Sequence, residues 1–231
     1  MIAGRVAAVR ERIARAAARA GRPPESVSLV AVSKTFPAAA VREAFLAGVA
    51  DFGENKVQEA EGKIAELADL RARGLRWHLV GHLQSNKARK AGALFDILHS
   101  LDGLSVGRRL NEIGVERGTP VRVLVQVDLG DEATKFGLPE AELFPILEGL
   151  QSLSSLSVEG LMTLPPYDEN PEKSRPYFRR LRELRDTAMA AGLLGGRLSM
   201  GMSHDFEVAI EEGASIVRVG TAIFGERAAQ A

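Results

Sequence analysis

SLVAVSKT, residues 28–35, decides how the rest of the chain is read. Its apolar run, Leu29-Val30-Ala31-Val32, stops abruptly at Ser33-Lys34-Thr35. A short β-branched run between polar residues marks a strand buried on both faces, the kind a parallel sheet uses. The polar end carries Lys34, and in α/β folds ligands bind where the C-terminal strand ends converge. Position alone leaves Lys34 an ordinary solvated lysine, as most lysines are. A functional role requires other segments to supply partners.

On the N-terminal side, MIAGRVAAVRERIARAAARAGRPP is rich in Arg and Ala but has no continuous apolar core and carries Glu11. Ile2, Val6, Val9 and Ile13 recur at helical spacing, so this is an amphipathic helix ending at Gly21 and stopped by Pro23-Pro24, not a targeting peptide. On the C-terminal side, Pro37 opens a helix with Val41, Ala44, Phe45 and Leu46 as its buried side. Strands then alternate with helices. Strands are expected at 50–55, 75–80, 95–100, 121–128, 157–162, 197–200 and 215–219. Helices are expected at 57–74, 84–92, 103–118, 139–150, 170–192 and 206–213, with a last one from Ala222. A loop at 129–137 holds Lys135.

Eight strands, each followed by a helix, predict an α/β (β/α)₈ TIM barrel, residues 1–231 as a single domain, with residues 1–22 an extra helix packed on the barrel. A doubly wound open sheet has the same alternation. Two features favour the barrel: no Gly-x-Gly-x-x-Gly follows the first strand, and the last strand–helix loop has the character of a phosphate site.

Composition narrows the function. Lys plus Arg and Asp plus Glu number 30 each, so no global field attracts nucleic acid or anionic lipid. The basic run 87–90 lacks interleaved aromatics and reads as a solvated helix face. There are no cysteines, which excludes disulfides, thiolate metal sites and cysteine nucleophiles. No run approaches the ~20 apolar residues of a membrane span, and a cytoplasmic protein is expected.

The chemistry gathers at the last two strands. VRVGTAIFG, 217–225, places Arg218 within a strand and Gly220-Thr221 at its end. A small residue there lets backbone N–H groups approach a phosphate, and Thr221 adds a hydroxyl. Ser199-Met200-Gly201-Met202-Ser203 is a second small, hydroxyl-bearing loop before a helix. Taken singly, either loop reads as an ordinary helix cap; two after consecutive strands favour phosphate. A lysine facing a phosphate site suggests a Schiff base, and pyridoxal 5'-phosphate carries both the aldehyde and the phosphate. Arg218 is then placed for the pyridine nitrogen, or else is paired with an interior carboxylate. Asn55 either bonds a cofactor hydroxyl or caps the next helix. His78, His82 and His99 would form a zinc site only by converging; otherwise His78 is a satisfied core group and the other two line the mouth. No metal site is expected.

Seven stretches together resemble a known family: AVSKT at 31–35, FGENKVQE at 52–59, WHLVGHLQSNK at 77–87, HSLD at 99–102, GLMTLPP at 160–166, SMGMSHDFEVAI at 199–210 and VRVGTAIFG at 217–225. They resemble, in order, the pyridoxal phosphate homeostasis proteins, which are similar to the barrel half of alanine racemase. The resemblance implies that Lys34 is the aldimine lysine. It implies that Ser203, Gly220 and Thr221 contact the phosphate and that Arg218 lies by the pyridine nitrogen. Asn55 and the backbone of Ser199 and Met200 would lie near the ring. Lys56, Phe136 and His204 depart from the usual family pattern of an aromatic, a serine, and a small or acidic residue. The implied role is vitamin B6 homeostasis, with the cofactor buffered on Lys34 or delivered to apo-enzymes by a monomer. A low-activity amino-acid racemase is the alternative. The second base of such an enzyme is a tyrosine from another domain, and the tyrosines here are Tyr167 and Tyr177. A sugar-phosphate aldolase using Lys34 is a third class.

Overall fold

A computed structural model of the protein describes residues 1–130 and 136–226. Lys135 and its neighbours 131–134 lie outside the described residues, as do 227–231. In chain order the elements are α1 Ile2–Arg19, β1 Ser28–Val32, α2 Ala38–Leu46, β2 Asp51–Glu54, α3 Val57–Glu66, α4 Ala68–Arg71 and β3 Arg76–Leu79. They continue with α5 Ala88–Leu94, β4 Ile97–Leu101, α6 Leu104–Arg117, β5 Val121–Asp128, the two-residue β6 Leu138–Pro139 and α7 Leu143–Leu150. The last are β7 Leu156–Met162, α8 Arg175–Ala190, β8 Arg197–Met202, α9 Phe206–Glu211, β9 Ile216–Val219 and α10 Thr221–Phe224.

All strand pairs are parallel, in the order β4-β3-β2-β1-β9-β8-β7-β5. β4 pairs with β5, Leu98 opposite Val123, which closes the sheet into an eight-stranded barrel and excludes the open doubly wound alternative. The short β6 hangs on the end of β5. Alternation sorts the side chains. Phe52, Trp77, Leu79, Leu98, Val123 and Val217 face the helices and are fully buried. Val30, Val80, Ile97, Leu124, Met162 and Ile216 make a separate apolar cluster inside the barrel.

The amphipathic first helix forms as its spacing predicts: Val6, Val9, Ile13, Ala16 and Ala17 are buried. Arg12 and Arg19 on its other side pair with Glu207 and Glu211 of α9. Two helices differ from expectation. Residues 57–74 form two helices, broken at Leu67, whose φ of −109° leaves the helical range; the bend keeps Leu67 and Leu70 both buried. In α2 only Val41 and Ala44 of the expected stripe are fully buried, whereas Leu46 is 67% exposed. Residues two apart on a helix do not share a face, so burying Ala44 turns Leu46 outward.

Candidate functional site

β1 delivers Lys34 to the C-terminal mouth, half-buried, and both its neighbours are tied down. The Ser33 amide donates to the Gly53 carbonyl across β1–β2 (2.9 Å). The Ser33 hydroxyl donates to Glu54 Oε1 (2.6 Å), and Lys63 Nζ donates to the Ser33 carbonyl (2.7 Å). Lys63 also donates to Glu54 Oε1 (2.8 Å) and Glu59 Oε1 (3.0 Å). On the other side of Lys34, the Thr35 amide donates to Glu59 Oε1 (2.5 Å). Thr35 has φ 69°, the one non-glycine positive φ among the described residues. A left-handed threonine is a strained conformation, and here the carboxylate of Glu59 holds it. Burial pushes the Glu54 carboxyl up, against hydrogen bonds from Lys63 and Ser33 that pull it down. For Glu59 burial also pushes up, but bonds from the Thr35 amide and Lys63 win and hold it low.

Lys34 lines a cavity of about 310 Å³ together with Asn55, Ser203, Arg218, Gly220 and Thr221. Six of the eight residues expected from sequence therefore meet here. Asn55 does not cap the following helix: α3 has Lys56 at its N-cap and no side-chain cap bond. Nor does Ser203 cap α9, whose N-cap position is Asp205. Instead Ser203 Oγ accepts from the amides of Gly220 (3.1 Å) and Ala222 (3.3 Å), leaving its own hydrogen to donate. Gly201 makes this approach possible: its φ is +91°, and a Cβ there would meet Ala209 Cβ at 2.6 Å and Phe206 Cα at 2.8 Å.

Ser199 and Met200 do not line the cavity. The Met200 side chain is fully buried in the core outside the barrel. Ser199 points inward beneath the cavity, where its Oγ accepts from Arg218 Nη1 (2.5 Å). Arg218 Nη2 donates to the Thr163 carbonyl (2.9 Å). The alternative pairing of Arg218 with an interior carboxylate is not what forms: both bonded acceptors are neutral. Burial pushes its guanidinium down to about 10, while the charge of Asp205 works the other way.

The histidines separate. His78 and His99 are buried and bonded to each other (2.9 Å), so His99 is not at the mouth as expected. His82 Nδ1 lies 3.3 Å from Asp102 Oδ2 while its ring stacks on Phe136. Among the described residues no group of three or more His, Cys, Asp or Glu is placed to hold a metal. Lys56 is exposed, beside the cavity residue Asn55.

Sequence reasoning missed Tyr167 and His204 as cavity residues, and the whole Lys63–Glu54–Glu59 group. For the latter a signal existed. Lys63 stands four residues after Glu59 on a helix whose other inward residues, Val57, Ala60 and Ile64, are apolar or small.

Among the described residues two cations line the cavity and no carboxylate does. His204 Nε2 is buried without a bonded partner beside it. Hydroxyl, amide and guanidinium donors around an amine suit a small anionic ligand that also carries an electrophilic carbonyl.

A barrel with a lysine at the end of its first strand and hydroxyl donors after its last two is the class the geometry defines. The family model "Alanine racemase, N-terminal domain" matches residues 5–228. The chain is 45% identical to the pyridoxal phosphate homeostasis protein of Aquifex aeolicus, over 96% of this chain and 97% of that one. It is 47% identical to the protein of that name from Pseudomonas aeruginosa, over 98% and 96%. The structure of PipY from Synechococcus elongatus PCC7942 with PLP bound matches with TM-score 0.85 at 42% identity, covering 97% of this chain and all of that one. The chain belongs to the family of pyridoxal phosphate homeostasis proteins.

Proposed function

We propose that this chain binds pyridoxal 5'-phosphate on Lys34 and buffers or delivers it in vitamin B6 homeostasis. The observation that carries this is the convergence of Lys34, Arg218, Ser203 and Thr221 on one cavity that no carboxylate among the described residues lines. PipY, a relative by structure and sequence, has been solved with PLP bound. When bound, the cofactor supplies an aldehyde that condenses reversibly with a primary amine, so the link is covalent yet releasable.

The chain's own residues hold and orient. Lys34 offers the amine, aimed by the bonds on Ser33 and Thr35. The hydroxyls of Ser203 and Thr221 would take the phosphate, with Ser203 held in place by the Gly220 amide that donates to its Oγ. Arg218, always a donor, would face the ring nitrogen of the bound cofactor and disfavour its protonation, which would weaken the ring as an electron sink. Asn55 would bond at the ring edge, Ser199 would act through Arg218, and Met200, its side chain buried in the core, only through its backbone. A weak sink with an open mouth suits storage and release better than carbanion chemistry; the rim residue Tyr167 is 75% exposed. The same reading makes the protein a single-domain cytoplasmic monomer with PLP-dependent apo-enzymes as recipients. No helix among the described residues is long and apolar enough to cross a membrane.

One observation favours a second reading, a low-activity amino-acid racemase: Tyr167 shares the cavity with Lys34 and could serve as a second base. The test is a visible spectrum of the protein with PLP, followed by borohydride trapping. Wild type traps the cofactor, and Lys34→Ala abolishes trapping; retained trapping in that variant moves the attachment elsewhere. Exchange of the Cα proton of a free amino acid at about 1–10³ s⁻¹ in deuterated solvent establishes the racemase reading and sinks the carrier.

A further inference from the structure

A file of polar side chains runs through the inside of the barrel, among apolar neighbours. It begins at Asp51, the first residue of β2, whose carboxylate also takes two bonds from Arg76, Nε to Oδ1 (2.6 Å) and Nη2 to Oδ2 (2.7 Å). Asp51 and His78 line a small cavity of about 50 Å³ that also touches Arg76, Arg122 and Arg197, each at the first or second residue of its strand. From there His78 Nε2 bonds Asp51 Oδ1 (2.9 Å), His78 Nδ1 bonds His99 Nε2 (2.9 Å), and His99 Nδ1 bonds Ser199 Oγ (2.9 Å). Arg218 Nη1 closes the file on Ser199 Oγ (2.5 Å), and Arg218 lines the cavity at the opposite, C-terminal mouth. His78 and Arg218 are 3% exposed, and His99 and Ser199 are fully buried, so bulk solvent does not reach the inner bonds of the file.

The direction of every bond can be worked out. A carboxylate only accepts, so His78 Nε2 carries a hydrogen. A guanidinium only donates, so Ser199 Oγ accepts from Arg218 and has one hydrogen of its own to place. If the file runs toward Asp51, Ser199 donates to a bare His99 Nδ1, His99 Nε2–H donates to a bare His78 Nδ1, and His78 Nε2–H donates to Asp51. Every group is then satisfied. If it ran the other way, His78 would have to be doubly protonated. His99 Nδ1–H would donate to Ser199, and the serine hydrogen would have no acceptor in the file. An unmatched buried hydroxyl is disfavoured. Burial also holds the fully enclosed His99 in its neutral form, and the charges of Arg218 and Arg197 act in the same sense.

We propose that Ser199, His99 and His78 are positioning residues: a one-way hydrogen-bond file, anchored on Asp51 and Arg76 at the base of the barrel, that fixes the guanidinium of Arg218 as a rigid donor in the cofactor cavity. The guanidinium has only neutral acceptors beside it. The carboxylate at the far end orients one of those acceptors, Ser199 Oγ, through cooperative polarisation of the chain. The role assigned to Arg218 toward the ring nitrogen rests on the proposed function, whereas the file itself is a property of the protein without ligand.

The test therefore starts on the apoprotein. Nitrogen-15 spectra of histidine-labelled protein should show His78 and His99 both neutral, each protonated at Nε2 with Nδ1 bare. A hydrogen on His99 Nδ1 overturns the proposal. The guanidinium protons of Arg218 should exchange about tenfold faster in His99→Leu than in wild type, and close to the wild-type rate in His99→Gln, which keeps one donor and one acceptor. Equal exchange in wild type and His99→Leu overturns it as well. Should His99→Leu not fold, Ser199→Ala makes the same cut next to Arg218, and the wild-type tautomers still decide. In protein loaded with PLP labelled at the ring nitrogen, His99→Leu should move that nitrogen's signal while borohydride trapping on Lys34 persists. Loss of trapping in wild type would sink the proposed function and leave the file standing.

Discussion

The two walls of the cavity are built on opposite principles. The wall behind Lys34 is ionic and closed: Lys63, Glu54 and Glu59 bond one another and the backbone on either side of the lysine. The facing wall, from β8 and β9, holds one buried cation, Arg218, and is otherwise made of neutral groups: a serine hydroxyl, two backbone amides, a threonine and a glycine. The difference follows from what each would hold. A covalent attachment point gains from being rigid before the ligand arrives, because orientation is then already fixed. An anion site gains from donors that can turn to the ligand and that carry no carboxylate to repel it. The carboxylates Glu54 and Glu59 thus stay behind the lysine, while the buried charge on the ligand side is the cation Arg218.

The sharpest way to break this contrast is to remove the cation from the closed wall. Lys63→Met leaves two carboxylates unpaired, one of them fully buried, and should lower stability by about 3–5 kcal/mol in denaturant unfolding. A loss below about 1 kcal/mol would mean that the ionic wall is incidental. Asp51 tests whether charge at the base of the barrel behaves in the same way. Burial pushes its carboxyl up, but bonds from His78 and Arg76 outweigh burial and hold it well below the ordinary carboxylate range. Because the folded pKa is depressed, the stabilisation is present above the unfolded value of about 4 and is lost as pH falls toward the folded one. Asp51→Asn should therefore flatten the acid limb of the stability–pH curve by about 2 kcal/mol, and an unchanged slope would contradict the assignment.

At the neutral donors of the facing wall the expected effects are smaller and fall on binding. Ser203→Ala removes the acceptor of two amides and one donor, and should weaken PLP binding about tenfold while leaving the thermal midpoint within a few degrees of wild type. A large stability loss with unchanged affinity would make Ser203 a structural cap after all. Smallest of all is Thr35→Gly. Relief of a left-handed threonine, about 1 kcal/mol, is opposed by glycine's greater freedom in the unfolded chain. Stability should change by less than about 1 kcal/mol, while Lys34, now on a looser backbone, should attach the cofactor more slowly in a stopped-flow absorbance trace.

Much of this site was legible from residue order, and some was not, for reasons that differ by residue. Lys34, Gly220 and Thr221 could be read because a strand's polar end always points to the same mouth of a parallel barrel. Asn55 and Ser203 could be read only as a choice between cap and ligand site, since the same short polar side chain serves both. The observed N-cap positions of α3 and α9 are Lys56 and Asp205. Met200 was readable by motif but not by orientation; strand alternation turns its side chain to the helices. The i,i+4 spacing of Glu59 and Lys63 on the inward face of α3 was a local signal for the pair, but nothing local tied that pair to the backbone beside Lys34, 24 to 30 residues away.

The sequence alone determined the alternation of strand and helix, the amphipathic first helix, and the ends at which Lys34, Ser203 and Thr221 stand. Those features depend on periodicity and on residues adjacent in the chain, which physics reads locally. Only the tertiary structure decided that the sheet closes through β4 and β5, that Glu54 and Lys63 sit behind the lysine, and that His78, His99 and Ser199 form one file ending on Arg218. Barrel closure brings β2, β3, β4, β8 and β9 to a common interior, where each buried polar atom must find its partner on another strand. That pairing is set by distance in space, and sequence separations as large as the 100 residues between His99 and Ser199 carry no trace of it.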